Sequence, residues 1–200
     1  METRTVIITA IDNSTTTPRR PGSPPAVDDF LESLRNGTAT KHLVDHLVIL
    51  TFDPQTFHYC KSIHPHCFKY PNFNSLHDHQ PHKLVGLFRN ELLRQVLEFG
   101  YNFFYTDVIL SWERNPLLLF GSEDKISIGC EFFSTVSNTN NAEYFYMKSG
   151  PVSIAFFKMW KLINVIYPDT IVHNSLCRLR FNEKFGPVVK SMIKSVDSTK

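Results

Sequence analysis

The chain is poor in most features that mark the simpler protein classes. Its 200 residues hold four cysteines, Cys60, Cys67, Cys130 and Cys177. That is too few for a scaffold built on disulfides, and while a bonded pair among them stays open, cysteine does not set the compartment. No window approaches the ~18 uninterrupted apolar residues of a membrane span, and the first 25 residues lack the apolar core of a signal peptide. Read as written, the chain is expected to be soluble. An excess of one charge is missing too: 21 basic against 19 acidic residues give a net charge of +2, too weak a field to hold nucleic acid or an anionic membrane. There is no Gly-x-Ser-x-Gly elbow, no Gly-x-Gly-x-x-Gly fingerprint, no P-loop and no internal repeat. Hydrolase, dinucleotide-dependent and nucleoside-triphosphatase readings therefore lack support.

What the chain has is apolar material. Hydrophobic residues make up 42% and phenylalanine alone contributes 17, enough for one globular domain over residues 1–200 with a real core. Two glycosylation triplets, Asn13-Ser14-Thr15 and Asn36-Gly37-Thr38, lean weakly towards a lumenal origin.

Strands and helices alternate. Val6 to Ala10 reads as a short buried strand, followed by a loop from Asn13 to Pro25. Phe30, Leu31 and Leu34 recur at helical spacing, and Asn36-Gly37 suits a left-handed cap. Leu47 to Phe52 is apolar throughout, as a parallel strand covered on both faces should be, and Asp53-Pro54 opens a helix running to about Ser62. Cys67 to Tyr70 is a short strand, and the polar 71–81 stretch is irregular. From Lys83 to Phe99, Leu84, Leu87, Phe88, Leu92, Val96 and Phe99 mark the clearest helix. Strands are expected from Asn102 to Leu110, from Lys125 to Phe132 and from Glu143 to Met147, with a polar turn at Asn138 to Asn141. A helix over Pro151 to Ile166 offers Ile154, Phe157, Trp160, Leu162 and Ile166 for packing, and Tyr167-Pro168-Asp169 stops it. The pattern predicts an α/β fold, a mostly parallel sheet flanked by helices with later antiparallel strands.

The most informative stretch is Gly100 to Pro116. A helix stop at Gly100 leads into an aromatic run and then a lone acid, Asp107, where α/β proteins place metals or phosphate-linked ligands. Capping the next turn or pairing with Arg114 would occupy Asp107 equally well. Trp112 and Trp160 fit a core better than a stacking platform.

Taken in order, several segments carry a resemblance. They are Thr5 to Thr9, Phe30 to Arg35, Lys41-His42-Leu43 leading into His46 to Ile49, His64-Pro65-His66-Cys67, Leu93 to Phe103, and Thr106-Asp107 with Trp112, Arg114, Asn115 and Pro116. Over roughly residues 4–180 the chain resembles the plant nucleotide-diphospho-sugar transferases, GT-A-type glycosyltransferases related to cell-wall arabinosyl- and xylosyltransferases. The resemblance implies a GT-A-like, Rossmann-related fold and transfer of a sugar from a nucleotide-diphosphate sugar, expected to be a uridine diphosphate (UDP) sugar, to a glycan or glycoprotein acceptor. It implies donor binding at Thr9, Asp12, Asp107 and Asn141, with Mn2+ held by Asp107 against the diphosphate. Turn capping explains Thr9 and Asp12 nearly as well. Golgi localisation is implied by the family, whereas the lack of a signal or anchor implies the cytoplasm if the chain is complete as written.

The sequence also departs from that family. The second aspartate of the family's Asp-x-Asp is Ile109, its His-Asp-Gln triplet falls on Ile171-Val172-His173, and its Asn-Gly-Gly reads Asn141-Ala142-Glu143. The later carboxyl-terminal segment has no counterpart beyond about Arg180. Asp124 and Glu131 are candidate substitutes for the missing acid, and the catalytic base has no assignment. These departures favour an alternative, an inactive relative that binds a nucleotide or a partner protein. A weaker alternative is a zinc module, because His58, His64, His66, His77, His79 and His82 cluster near Cys60 and Cys67, although their spacing is unlike that of a zinc finger.

Overall fold

The computed structural model describes residues 4–70, 81–135, 138–166 and 185–195, together with Leu176, Leu179 and Glu183. The chain divides into two compact units, one of Val6–His79 and Tyr105–Leu118, the other of Met1–Thr5, Gln80–Phe104 and Leu119–Lys200.

The first unit contains strand β1 (Thr5–Ile11, from Val6 onward), a short helix α1 (Asn13–Thr16), α2 (Ala26–Asn36), a 3-10 helix (Lys41–His46), β2 (Leu47–Thr51), α3 (Pro54–Ile63) and β3 (Cys67–Lys69). The strand order is β3-β2-β1, and every pairing is parallel, with Ile7 opposite Leu47 and Ile49 opposite Cys67. The continuous apolar run of β2 suits this position, because a parallel strand is buried on both faces. Helix α2 buries Val27, Phe30, Leu31 and Leu34, the face its spacing predicts. Each such side chain removed from water contributes about 1.5–3 kcal/mol. Asp53 caps α3 by accepting from the Thr56 amide at 2.8 Å, as expected. Tyr59 on α3 donates to Asp28 on α2 at 2.8 Å, and burial together with that carboxylate raises the phenol to about 12.

Two details differ from expectation. The predicted loop begins with α1, and Gly37 is extended (φ −69°, ψ 160°) rather than left-handed. The left-handed residue is Ala39, at φ 58°. Gly37 is required by space instead, since a Cβ there would lie 2.5 Å from the Trp112 carbonyl oxygen and 2.8 Å from that of Ser33.

The second unit contains α4 (Pro81–Glu98), β4 (Asn102–Thr106, whose last two residues belong to the first unit), β5 (Ile126–Thr135), β6 (Asn138–Met147), α5 (Pro151–Ile166), α6 (Gly186–Met192) and β7 (Lys194–Ser195). Its strand order is β4-β6-β5-β7, with β5 and β6 an antiparallel hairpin and β7 parallel to β5. Gly100 ends α4 at φ 82°, the left-handed stop that the sequence predicts. Phe103, Phe145, Phe156, Phe157 and Trp160 are fully buried, and the Phe157 and Trp160 rings stack at 5.8 Å.

The buried face of α4 differs from the predicted one: Arg89, Asn90, Leu93 and Leu97 are buried, while Phe99 is 76% exposed. The polar pair turns inward because Arg89 meets the buried Glu143 at 3.5 Å. On α5, Leu162 and Ile166 are exposed rather than packed. Asn138 to Asn141 is no turn but part of β6, with Thr135 opposite Asn138. Strand β4 stops at Thr106, earlier than predicted, because Leu110 bonds back to the Asp107 carbonyl in a turn. The architecture is the predicted one, an α/β fold with a mostly parallel sheet, flanking helices and a late antiparallel hairpin, consistent with a Rossmann-related GT-A-like fold.

Candidate functional site

The site lies in the first unit, where β1 and β4 end. Thr9 is fully buried and donates through Oγ1 to the Thr106 carbonyl at 2.7 Å, so its hydroxyl ties the two strand ends together. Asp107 follows as the first residue past β4 and is half-buried. The Tyr105 hydroxyl donates to Asp107 Oδ1 at 3.2 Å, a contact that orients the carboxylate. The indole Nε1 of Trp112 donates to Thr106 Oγ1 at 3.0 Å, and that hydroxyl faces the Asp107 carbonyl at 3.3 Å.

Asp12 follows the end of β1 and caps α1. Its Oδ1 accepts from the Ser14 and Thr15 amides at 3.0 and 3.3 Å and from the Ser14 hydroxyl at 2.6 Å, while Thr15 Oγ1 accepts from the Asp12 amide at 3.0 Å. The capping reading therefore describes what Oδ1 does, and these bonds leave Oδ2 to other partners.

The segment after Asp107 is held by α2. The Trp112 amide donates to Ser33 Oγ at 3.0 Å, and the Thr38 amide donates to the Glu113 carbonyl at 2.7 Å. Tyr105, Thr106 and Ser33 are positioning residues to which the sequence reading assigned no such role, and Gly37 positions by close approach rather than as the left-handed cap expected. Their sequence signal is a small or hydroxyl-bearing side chain near the end of an element.

The other residues singled out in the sequence fall in the turn after Asp107 or in the second unit. Ile109 lies in the turn after Asp107 and is half-buried. Asp124 belongs to the second unit and is buried, its Oδ2 accepting from the Gly121 amide at 3.0 Å within a turn. Asn141 sits in β6 opposite Phe132, and Glu131 sits in β5 opposite Ala142, both also in the second unit. Residues 171–173 lie outside the described residues, as do the expected stretches 71–80 and 167–169.

Among the described residues no group of three or more His, Cys, Asp or Glu side chains could cage a metal ion. At the end of β4 the carboxylate is Asp107, and Ile109 follows it in the turn.

The zinc alternative loses its sulfur ligands. Cys60 and Cys67 form a disulfide, with Cα atoms 6.1 Å apart, that joins the last turn of α3 to β3. Within that loop His64 is buried, and its Nε2 lies 2.8 Å from the Leu47 carbonyl. Burial pushes His64 below its ordinary value, against the smaller opposing effect of that bond.

No helix among the described residues is long and apolar enough to cross a membrane. Comparison with known proteins gives two relatives in Arabidopsis thaliana. The uncharacterized protein At4g15970 is 28% identical over 179 residues, covering 84% of this chain and 45% of that protein. The uncharacterized protein At1g28695 is 27% identical over 165 residues, covering 78% of this chain and 50% of that protein. The chain thus spans about half the length of the curated relatives it matches. Residues 42–194 match the nucleotide-diphospho-sugar transferase family, and the chain belongs to that family.

Proposed function

We propose that this protein binds a nucleotide-diphosphate sugar, with UDP as the nucleotide, at the ends of β1 and β4 and transfers the sugar to a glycan or glycoprotein acceptor. The observation that carries this reading is Asp107, oriented by Tyr105 where β4 ends and bound by its strand to β1 through Thr9, in a chain of this family. Ligands in α/β sheets collect at such strand ends. In the transfer, an acceptor hydroxyl attacks the anomeric carbon. The bond from that carbon to the diphosphate oxygen breaks, the diphosphate leaves with the electron pair, and the hydroxyl proton passes to a base or to solvent.

A divalent cation such as Mn2+, when bound, neutralises charge on the leaving diphosphate, and Asp107 is the residue that would hold it. Asp12 Oδ2 offers an acceptor for a nucleotide hydroxyl, and Asn141 is assigned to the donor by resemblance alone. The Cys60–Cys67 disulfide favours an oxidising compartment, which accords with the Golgi lumen that the family resemblance implies.

A second reading, a nucleotide-binding relative without turnover, is favoured by Ile109 in the place of a second carboxylate. Release of UDP from UDP-sugars, assayed with Mn2+ and a panel of glycan acceptors, separates the two. Acceptor-dependent release supports transfer, and binding of UDP without release supports the second reading.

A further inference from the structure

We propose that the cavity between the end of α2 and the 3-10 helix Lys41–His46 binds an acidic sugar of the uronate class. It is an open surface depression of about 680 Å³, lined by exposed Arg35, Ala39, Lys41, His42 and Asp45 and half-buried Val44, all in the first unit.

The lining chemistry selects the ligand. Arg35 and Lys41 are exposed cations, and His42 adds a third nitrogen base. Arg35 uses Nη2 to reach the Ile63 carbonyl at 3.2 Å, which anchors the guanidinium and leaves its other donors for an oxyanion. Asp45 accepts hydrogen bonds from sugar hydroxyls, which a bare phosphate lacks. The Ala39 and Val44 side chains supply apolar surface for the C–H face of a ring. A carboxylate, several hydroxyls and an apolar face occur together in a uronic acid. Ala39 stands at the rim with φ 58°, a left-handed conformation that non-glycine residues seldom adopt.

The cavity precedes β2, at that strand's amino end, whereas Asp12 and Asp107 follow the ends of β1 and β4. It is therefore separate from the donor site and does not rest on the donor reading.

Calorimetric titration of the full chain with a uronic acid trisaccharide, its neutral counterpart and inorganic phosphate tests the proposal. The uronate is expected to bind, with the neutral sugar weaker by about tenfold or more, and Lys41→Gln and Arg35→Gln each weakening the uronate by about tenfold. The exposed Lys41 change keeps the test valid should Arg35→Gln lose folded protein, and a parallel UDP titration reports the donor site independently. Absence of uronate binding, equal binding of the neutral sugar, or indifference to Lys41→Gln overturns the proposal. Full competition by equimolar phosphate also overturns it, in favour of a simple oxyanion site.

Discussion

Ser33 on α2 holds Trp112 by its backbone: the Trp112 amide donates to Ser33 Oγ at 3.0 Å while the same hydroxyl donates to the Phe30 carbonyl at 2.7 Å. One side chain thereby joins a helix to the segment that follows Asp107. Ser33→Ala removes the acceptor and is expected to cost about 1–2 kcal/mol in urea unfolding. An unchanged midpoint and slope would show that the bond does not hold the segment.

Gly37 makes the same junction possible. A Cβ there would stand 2.5 Å from the Trp112 carbonyl oxygen and 2.7 Å from Thr40 Oγ1, and backbone cannot yield as a flexible side chain can. Gly37→Ala is expected to destabilise by roughly 1–3 kcal/mol although φ at this position suits alanine. Thermal melts of the variant check this, and a gain in stability, as at an unstrained open glycine, would refute it.

The Cys60–Cys67 disulfide closes a short loop, with seven positions separating the two cysteines. Loop entropy then gives about 2 kcal/mol of stabilisation, lost in the Cys60→Ser/Cys67→Ser double variant. Thiol titration of the unfolded chain before and after reduction reports whether the bond forms, and chemical unfolding of each form reports its contribution.

His64 makes stability depend on pH in a definite direction. Its folded value lies below the ordinary 6.5 chiefly through burial, so the unfolded chain binds its proton more readily. Its contribution is complete above pH ~6.5 and declines as pH falls through the lower folded value. Buried Nδ1 has no hydrogen-bond partner, so protonation there meets no acceptor. Unfolding free energies at pH 7.5 and 5.5 should differ less in His64→Gln than in the native chain, and equal slopes would contradict this account.

The sequence made the alternating strands and helices readable because apolar runs and caps such as Asp53-Pro54 act locally. It misplaced the inner face of α4 because the burial of Arg89 and Asn90 depends on Glu143, more than fifty residues along the chain. It read Gly37 as a left-handed cap because glycine answers both backbone freedom and close approach, and only the position of Trp112 decides between them. Asp107 was legible as an acid after an aromatic strand. The hydroxyls of Tyr105, Ser33 and Thr106 were not: Ser33 meets Trp112 from far along the chain, and Tyr105 and Thr106 meet Asp107 and Trp112 nearby through a turn whose geometry leaves no mark on hydrophobic pattern.

In the proposed function Asp107 contributes to a donor site for a nucleotide diphosphate. The direct measurement is calorimetric titration of UDP into the native chain and Asp107→Asn, each with Mn2+ and again with chelator. Binding to the native chain is expected to strengthen with Mn2+ and to weaken by about tenfold or more in Asp107→Asn, with the fold unchanged. Equal affinity in both proteins, or no UDP binding by a folded native chain, would contradict it.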